Sequence, residues 1–131
     1  MSETKLSRAI QDALTLDPDV LVVRVHSGKV KVKGGWMQLA EEGTSDLLCC
    51  VKRVTTRTIR GTFSDGVLTY VEGRFCALEV KTPDGTTSKA REAKQGEFLE
   101  RVRGLGGFGA RVRSVDEALE AVKRCKSGES M

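Results

Sequence analysis

The sequence predicts an α/β protein, a mixed central sheet flanked by helices, and three observations lead there. First, Arg74-Phe75-Cys76-Ala77-Leu78-Glu79-Val80-Lys81 is apolar on both faces until Glu79, the pattern of a strand in the middle of a sheet. Second, a helical segment from Ser88 to about Arg103 separates it from an apolar run at 108–113. That spacing suits a right-handed crossover between parallel strands. Third, the runs ahead of both are β-branched or alternating and are broken by glycine turns, as in antiparallel strands. A chain of 131 residues holds one domain, 1–131, with a core of its own.

Residues 3–15 are expected to form the first helix. Ser2 is its N-cap, Glu3 suits the positive helix start, and Leu6, Ile10, Ala13 and Leu14 share one stripe. Asp17-Pro18-Asp19 stops it, and Val20 to Val25 follows as a β-branched strand. Ser27-Gly28 turns the chain into Lys29-Val30-Lys31-Val32-Lys33, an alternating strand with a lysine face that Gly34-Gly35 ends or bulges. Gly43-Thr44-Ser45-Asp46 leads into the apolar strand Leu47-Leu48-Cys49-Cys50-Val51. Residues 52–60 continue as threonine-rich strand, 61–66 are a loop, Val67 to Val71 returns, and Glu72-Gly73 reads as a turn into the Glu79 strand. After the turn Thr82-Pro83-Asp84-Gly85, the helix capped by Ser88 carries Phe98, Leu99, Val102 and Leu105 on its buried stripe. Gln95, four before Leu99, belongs to that stripe. Gly104, Gly106 and Gly107 break it. Ser114-Val115-Asp116-Glu117 is a capping box for a last helix, and 126–131 reads as a flexible tail.

Composition narrows the function classes. The net charge of +4 is compatible with nucleic acid without requiring it. Cys49, Cys50, Cys76 and Cys125 lack zinc-site spacing, and His26 is the sole histidine; the cysteines read as buried free thiols of a reducing compartment. The chain opens on an amphipathic segment where a signal peptide would be apolar, and no run approaches membrane-spanning length.

The chemistry gathers at the end of the Glu79 strand. Glu79 and Lys81 are two apart and point to one side, and buried charges of this kind need partners or a metal. An ion pair capping an ordinary strand is the simpler alternative. Asp46 precedes a neighbouring strand, and Gln95 faces the sheet from the following helix. Each also has a plain reading, Asp46 as a turn residue and Gln95 as a helix-edge residue. Two carboxylates in a cleft favour a hard, oxygen-liking cation, magnesium or manganese. Lys81 is suited to stabilising charge that develops on a phosphate.

Taken in order, these landmarks give the chain a family likeness. They are Glu3 on the N-terminal helix, Val23-Arg24-Val25-His26-Ser27-Gly28, Gly43 to Leu48, Gly73 to Lys81, Gln95-Gly96-Glu97-Phe98-Leu99 and Val112 to Ala118. The chain resembles the PD-(D/E)xK nuclease superfamily and, within it, the VRR-NUC domain, over nearly its whole length. The resemblance implies a restriction-endonuclease-like fold and a divalent-metal-dependent deoxyribonuclease cutting branched or structured DNA, of Holliday-junction or flap type. It implies Asp46 and Glu79 as metal ligands, Lys81 as the catalytic lysine and Gln95 as the helix glutamine beside them. Glu3 is similar in place to a helix glutamate that assists the metal, and the Val80 backbone carbonyl is expected to complete that side of the site. Two departures stand out: Ser45 occupies the position of the family proline, and 52–72 reads as a β-hairpin insertion. The single-domain length resembles stand-alone bacterial or phage members, which implies a cytoplasmic setting, and one site per chain for two DNA strands implies a homodimer. The alternative on the same fold is a nucleic-acid-binding module without catalysis.

DNA contacts are expected at Arg24, His26 and Ser27, although a strand end exposed to solvent would look the same. On the insertion, alternation puts Arg53 with Arg57 on one face and Lys52 with Arg60 on the other. Arg53 and Arg57 are the favoured contacting pair, against a solvated edge ribbon as the alternative. Lys29, Lys31 and Lys33 suit an edge that discourages strand pairing.

Overall fold

Helix α1 (Glu3–Thr15) leads into strand β1 (Val20–Arg24), a hairpin of β2 (Lys29–Val32) and β3 (Gly35–Gln38), and the long strands β4 (Leu47–Ile59) and β5 (Gly66–Val80). Then come α2 (Lys89–Gly104), β6 (Phe108–Val112) and α3 (Val115–Lys126). The structure, a computed structural model, describes residues 2–26, 29–38, 41–83, 85 and 87–129. The main sheet runs β1-β4-β5-β6, with β1, β4 and β5 antiparallel and β6 parallel to β5. It is the mixed α/β sheet that the crossover spacing predicts, with the Glu79 strand inside it.

Alternation along the strands divides the core between two faces. Leu47, Cys49 and Val51 of β4 and Cys76, Leu78 and Val80 of β5 pack with Phe108 and Val112 against α1 and α3. The α1 contribution is Leu6, Ile10 and Leu14, and that of α3 is Ala118, Ala121, Val122 and Cys125. The opposite face of β5 offers Ala77 to Leu99 and Val102 of α2. A Cβ on Gly109 would come within 3.2 Å of Leu99, so the missing side chain lets α2 lie close on β6. Each helix begins on a serine cap: Ser2, Ser88 and Ser114 accept from Lys5, Arg91 and Glu117 backbone N–H groups. The reciprocal arm of the Ser114 box is shifted, since Glu117 Oε2 accepts from the Arg113 N–H.

Several expectations are corrected. Glu72-Gly73 is no turn: β5 runs unbroken from Gly66 to Val80 and is paired with β4 from Gly66 to Leu78. Glycine there gives room, because a Cβ on Gly73 would meet Cys50 Sγ at 2.6 Å. Residues 52–72 are thus the outer arms and tip of one hairpin whose inner half belongs to the main sheet. The Gly34-Gly35 pair leads into strand β3, which alternation did not reveal; Gly34 has φ 94, the left-handed turn conformation that glycine permits. Leu105 is exposed beyond the end of α2, Ser7 joins the buried stripe of α1 where Ala13 was expected, and Cys50 is exposed while the other three thiols are buried. The tail begins later than expected, since Lys126 closes α3 and donates to Asp17 Oδ2 at 2.6 Å. Ser27, Gly28 and Asp84 lie outside the described residues. Among the described residues no helix is long and apolar enough to cross a membrane.

Candidate active site

Glu79 is the penultimate residue of β5 and only 1% exposed. Its neighbours in the sheet are Asp46, just before β4, and Arg111, in register on β6. The loop that delivers Asp46 is held tightly. Gly43 has φ 96, and a Cβ there would strike the Lys94 backbone at 2.8 Å, so only glycine lets the loop pass under α2. Asp46 then joins two strands: its Oδ2 accepts from the Val80 N–H at 2.8 Å, and its carbonyl accepts from the Val25 N–H at 2.8 Å. Asp46 is therefore more than a turn residue, because it closes the ladder at the site end of β5.

Lys81 does not pair with Glu79. Its ammonium donates to Gln95 Oε1 at 2.7 Å and to Thr87 Oγ1 at 3.0 Å. An ammonium has three donors, so one remains for an oxygen of a ligand. Gln95 is buried, 4% exposed, and serves as the partner of the lysine, which removes the helix-edge reading. The reading of Glu79 and Lys81 as a simple ion pair is likewise removed.

Without that pair, the carboxylates are short of positive charge. Glu79 Oε2 is buried with no hydrogen-bond partner among the described residues. Burial, then the charge of Asp46 and a hydrogen bond shared with its carboxylate, push Glu79 up to about 8, with Lys81 pulling the other way. Glu3, half-buried on the first turn of α1, is also raised, first by burial and then by Asp46. Glu79 and Glu3 are thus both pushed toward the protonated form beside Asp46, the electrostatic condition that a bound cation relieves.

The residues fit a hard divalent cation. Asp46 and Glu79 are the two carboxylates positioned to hold one, with the Val80 carbonyl one residue beyond Glu79 and Glu3 on the rim. Among the described residues, no three side chains of histidine, cysteine, aspartate or glutamate converge tightly enough to form a cage alone. Oxygen-liking cations bound by one or two carboxylates plus water and phosphate do not need one.

A polar groove of about 140 Å3 adjoins the carboxylates, lined by Glu3, Ser7, Arg24, His26, Asp46 and Arg91. Arg24 and His26 come to the site through the Val25–Asp46 bond; Ser27 is outside the described residues. Arg53 and Arg57 lie elsewhere, on the outer hairpin. Alternation puts them on one face, yet Arg53 is drawn back, 3.6 Å from Glu72 Oε1 and against Gly128 past the end of α3, while Arg57 is exposed. Three site residues escaped sequence reading: Thr87, Arg91 and Arg111. The signals were there in register, since Thr87 precedes the α2 cap, Arg91 sits one helical turn before Gln95, and Arg111 opposes Glu79. The chain matches no protein-family model, no curated protein and no solved structure with which it was compared.

Proposed function

We propose that the chain is a divalent-metal-dependent endonuclease of the PD-(D/E)xK superfamily, VRR-NUC type, with a restriction-endonuclease-like core, acting on branched or structured DNA. The observation that carries this reading is the set Asp46, Glu79, Lys81 and Gln95. They converge at the C-terminal end of β5 around a buried carboxyl group, one oxygen of which has no partner among the described residues. A buried carboxyl oxygen left without a partner is destabilising in a protein that has no ligand to offer it.

In this reading Asp46, Glu79 and the Val80 carbonyl hold magnesium or manganese, with Glu3 in support. The cation, when bound, polarises the phosphate and lowers the pKa of a coordinated water. Lys81, oriented by Gln95 and Thr87, directs its remaining N–H to a nonbridging phosphate oxygen and stabilises charge developing there. Hydrolysis places water oxygen on phosphorus, breaks one phosphodiester P–O bond and leaves a phosphomonoester and a protonated hydroxyl end. Arg24, His26 and Arg91 border the groove that the DNA backbone would enter. A two-fold homodimer would give one site to each strand.

The test pairs calorimetry with cleavage. Manganese binding is expected for the wild type and lost in Glu79→Ala. Asp46→Asn and Glu79→Ala are expected to abolish cutting of a panel of junction, flap, fork and nicked DNAs. Lys81→Ala should keep metal and DNA binding and lose about a hundredfold in rate, the scale of one lost electrostatic stabiliser. DNA binding without Glu79-dependent metal binding or cleavage would leave a binding module in place of a nuclease.

A further inference from the structure

A second cleft, about 110 Å3, is lined by Lys81, Thr82, Thr87, Glu92, Arg111 and Arg113 among others. Its charge is unbalanced, three cations against the exposed carboxylate of Glu92. Strand order builds it. Lys81 follows β5 and its N–H donates to Val112 O, so Lys81 and Arg113 leave adjacent parallel strands side by side, about 4.8 Å apart. Arg111 and Arg113 are two apart and share the face that α2 covers.

Arg111 is the unusual member. It is half-buried, and its Nη2 lies where a side chain on Gly96 would be, 3.3 Å from the position of a Cβ, so α2 carries glycine where the guanidinium passes. Its Nε is buried without a hydrogen-bond partner. Although it opposes Glu79 in register, it forms no ion pair among the described residues, and neither does Arg113. A planar guanidinium held beside a buried carboxyl but not used by it is free for another anion, and its fork geometry suits phosphate.

We infer that Arg111 and Arg113, with the Thr87 hydroxyl, form a seat for a backbone phosphate of nucleic acid, next to the phosphodiester that the carboxylates and Lys81 would receive. The inference rests on the nucleic-acid reading above and adds to it the place of a neighbouring phosphate. Lys81 lines this cleft and is also the lysine of the first site, so the two phosphate positions adjoin. Thr87 supplies a hydroxyl at the seat and also holds the lysine.

The experiment measures binding of fluorescent duplex and four-way-junction DNA to the full chain in EDTA, across a series of salt concentrations. Arg113→Ala, an exposed position, is expected to weaken binding about tenfold at low salt, the scale of a charge-assisted contact. It should flatten the slope of log affinity against log salt by about 0.9. Arg111→Gln should do the same if it folds, and Arg113→Ala carries the test if it does not. Lys123→Ala, on α3 across the sheet, removes equal charge and should leave the slope unchanged. An unchanged slope in folded Arg113→Ala, or an equal loss in Lys123→Ala, would overturn the seat. A loss seen with 5′-phosphorylated ends and absent with 5′-hydroxyl ends would also overturn it, assigning the cleft to a terminal phosphomonoester. Cleavage and Glu79-dependent metal binding are scored separately. If those fail while the Arg113 effect stands, the nuclease reading falls and the seat remains.

Discussion

β4 is paired with β5 along its whole length, yet the two halves of that hairpin live in different solvents. In the inner half, residues 47–51 and 76–80, β1 and β6 close the flanks and α1, α2 and α3 cover the faces. Five consecutive residues, Cys76 to Val80, are buried. In the outer half no third strand pairs and no helix packs among the described residues, and Val54, Val67 and Val71 are 55%, 69% and 60% exposed. The two halves hardly differ in kind, since Val67-Leu68-Thr69-Tyr70-Val71 is as β-prone as the buried run. Neighbours, more than side chains, decide which half is core, and the buried half is the one that can make Glu79 reactive.

Truncating each half should expose the largest difference. Leu78→Ala, at a fully buried position, is expected to cost about 2–5 kcal/mol in denaturant unfolding, and Val67→Ala to stay within about 0.5 kcal/mol. Equal costs would mean that the outer half is covered in solution. A stability that rises with protein concentration would then identify a second copy as the cover.

The next contrast is electrostatic and belongs to the inner half. Glu79 titrates near 8 in the fold and near 4.5, its ordinary value, when unfolded. Between those pH values the folded chain keeps a proton that the unfolded chain has lost, so metal-free stability falls as pH rises through this window. At pH 8 the deficit is on the order of 4 kcal/mol. Glu79→Gln, neutral at every pH, should therefore be more stable than the wild type at pH 8 and equal to it below about 4.5. Parallel stability curves for the two proteins would show that Glu79 is ionised in the fold. Divalent metal, which needs the carboxylate, should bind more tightly as pH rises toward 8.

Local signals made the inner half legible. The two-sided apolar run marked β5 as interior, the crossover spacing marked β6 as its parallel neighbour, and the placement of Gln95 on the Leu99 stripe brought it to Lys81. What sequence could not supply was the choice among partners. Spacing put Glu79 and Lys81 on one side, and a salt bridge between them was the simplest outcome. The structure gives the lysine to Gln95 and Thr87 because α2 begins directly over the end of β5. Arg111 was invisible for a related reason, since its role follows from register across two strands 32 residues apart in sequence. In the outer half, Glu72-Gly73 looked like a turn on composition, and only pairing along the whole of β4 shows glycine making room for Cys50.

The smallest expected effect separates two arginines that alternation had joined. Arg53 and Arg57 share a face of the hairpin, but Arg53 lies where the inner half still reaches it. Its guanidinium sits against Gly128 and 3.6 Å from Glu72, with about a third of the side chain exposed. A pair so exposed contributes roughly 0–1 kcal/mol, so it orients the arginine more than it stabilises the fold. Arg57 forms no ion pair among the described residues and is exposed on the open half of the ribbon. If the outer hairpin contacts a DNA backbone, Arg57→Ala should flatten the salt slope by about 0.9, and Arg53→Ala should change it little. The double variant should then lose about one contact where two equivalent arginines would lose about two. A double variant with a loss near two would mean that Arg53 leaves Glu72 to reach phosphate. No loss in any of the three folded variants would take the hairpin off the DNA. Its exposed valines would then be the place to test for a second copy, by sedimentation of wild type against Val71→Lys.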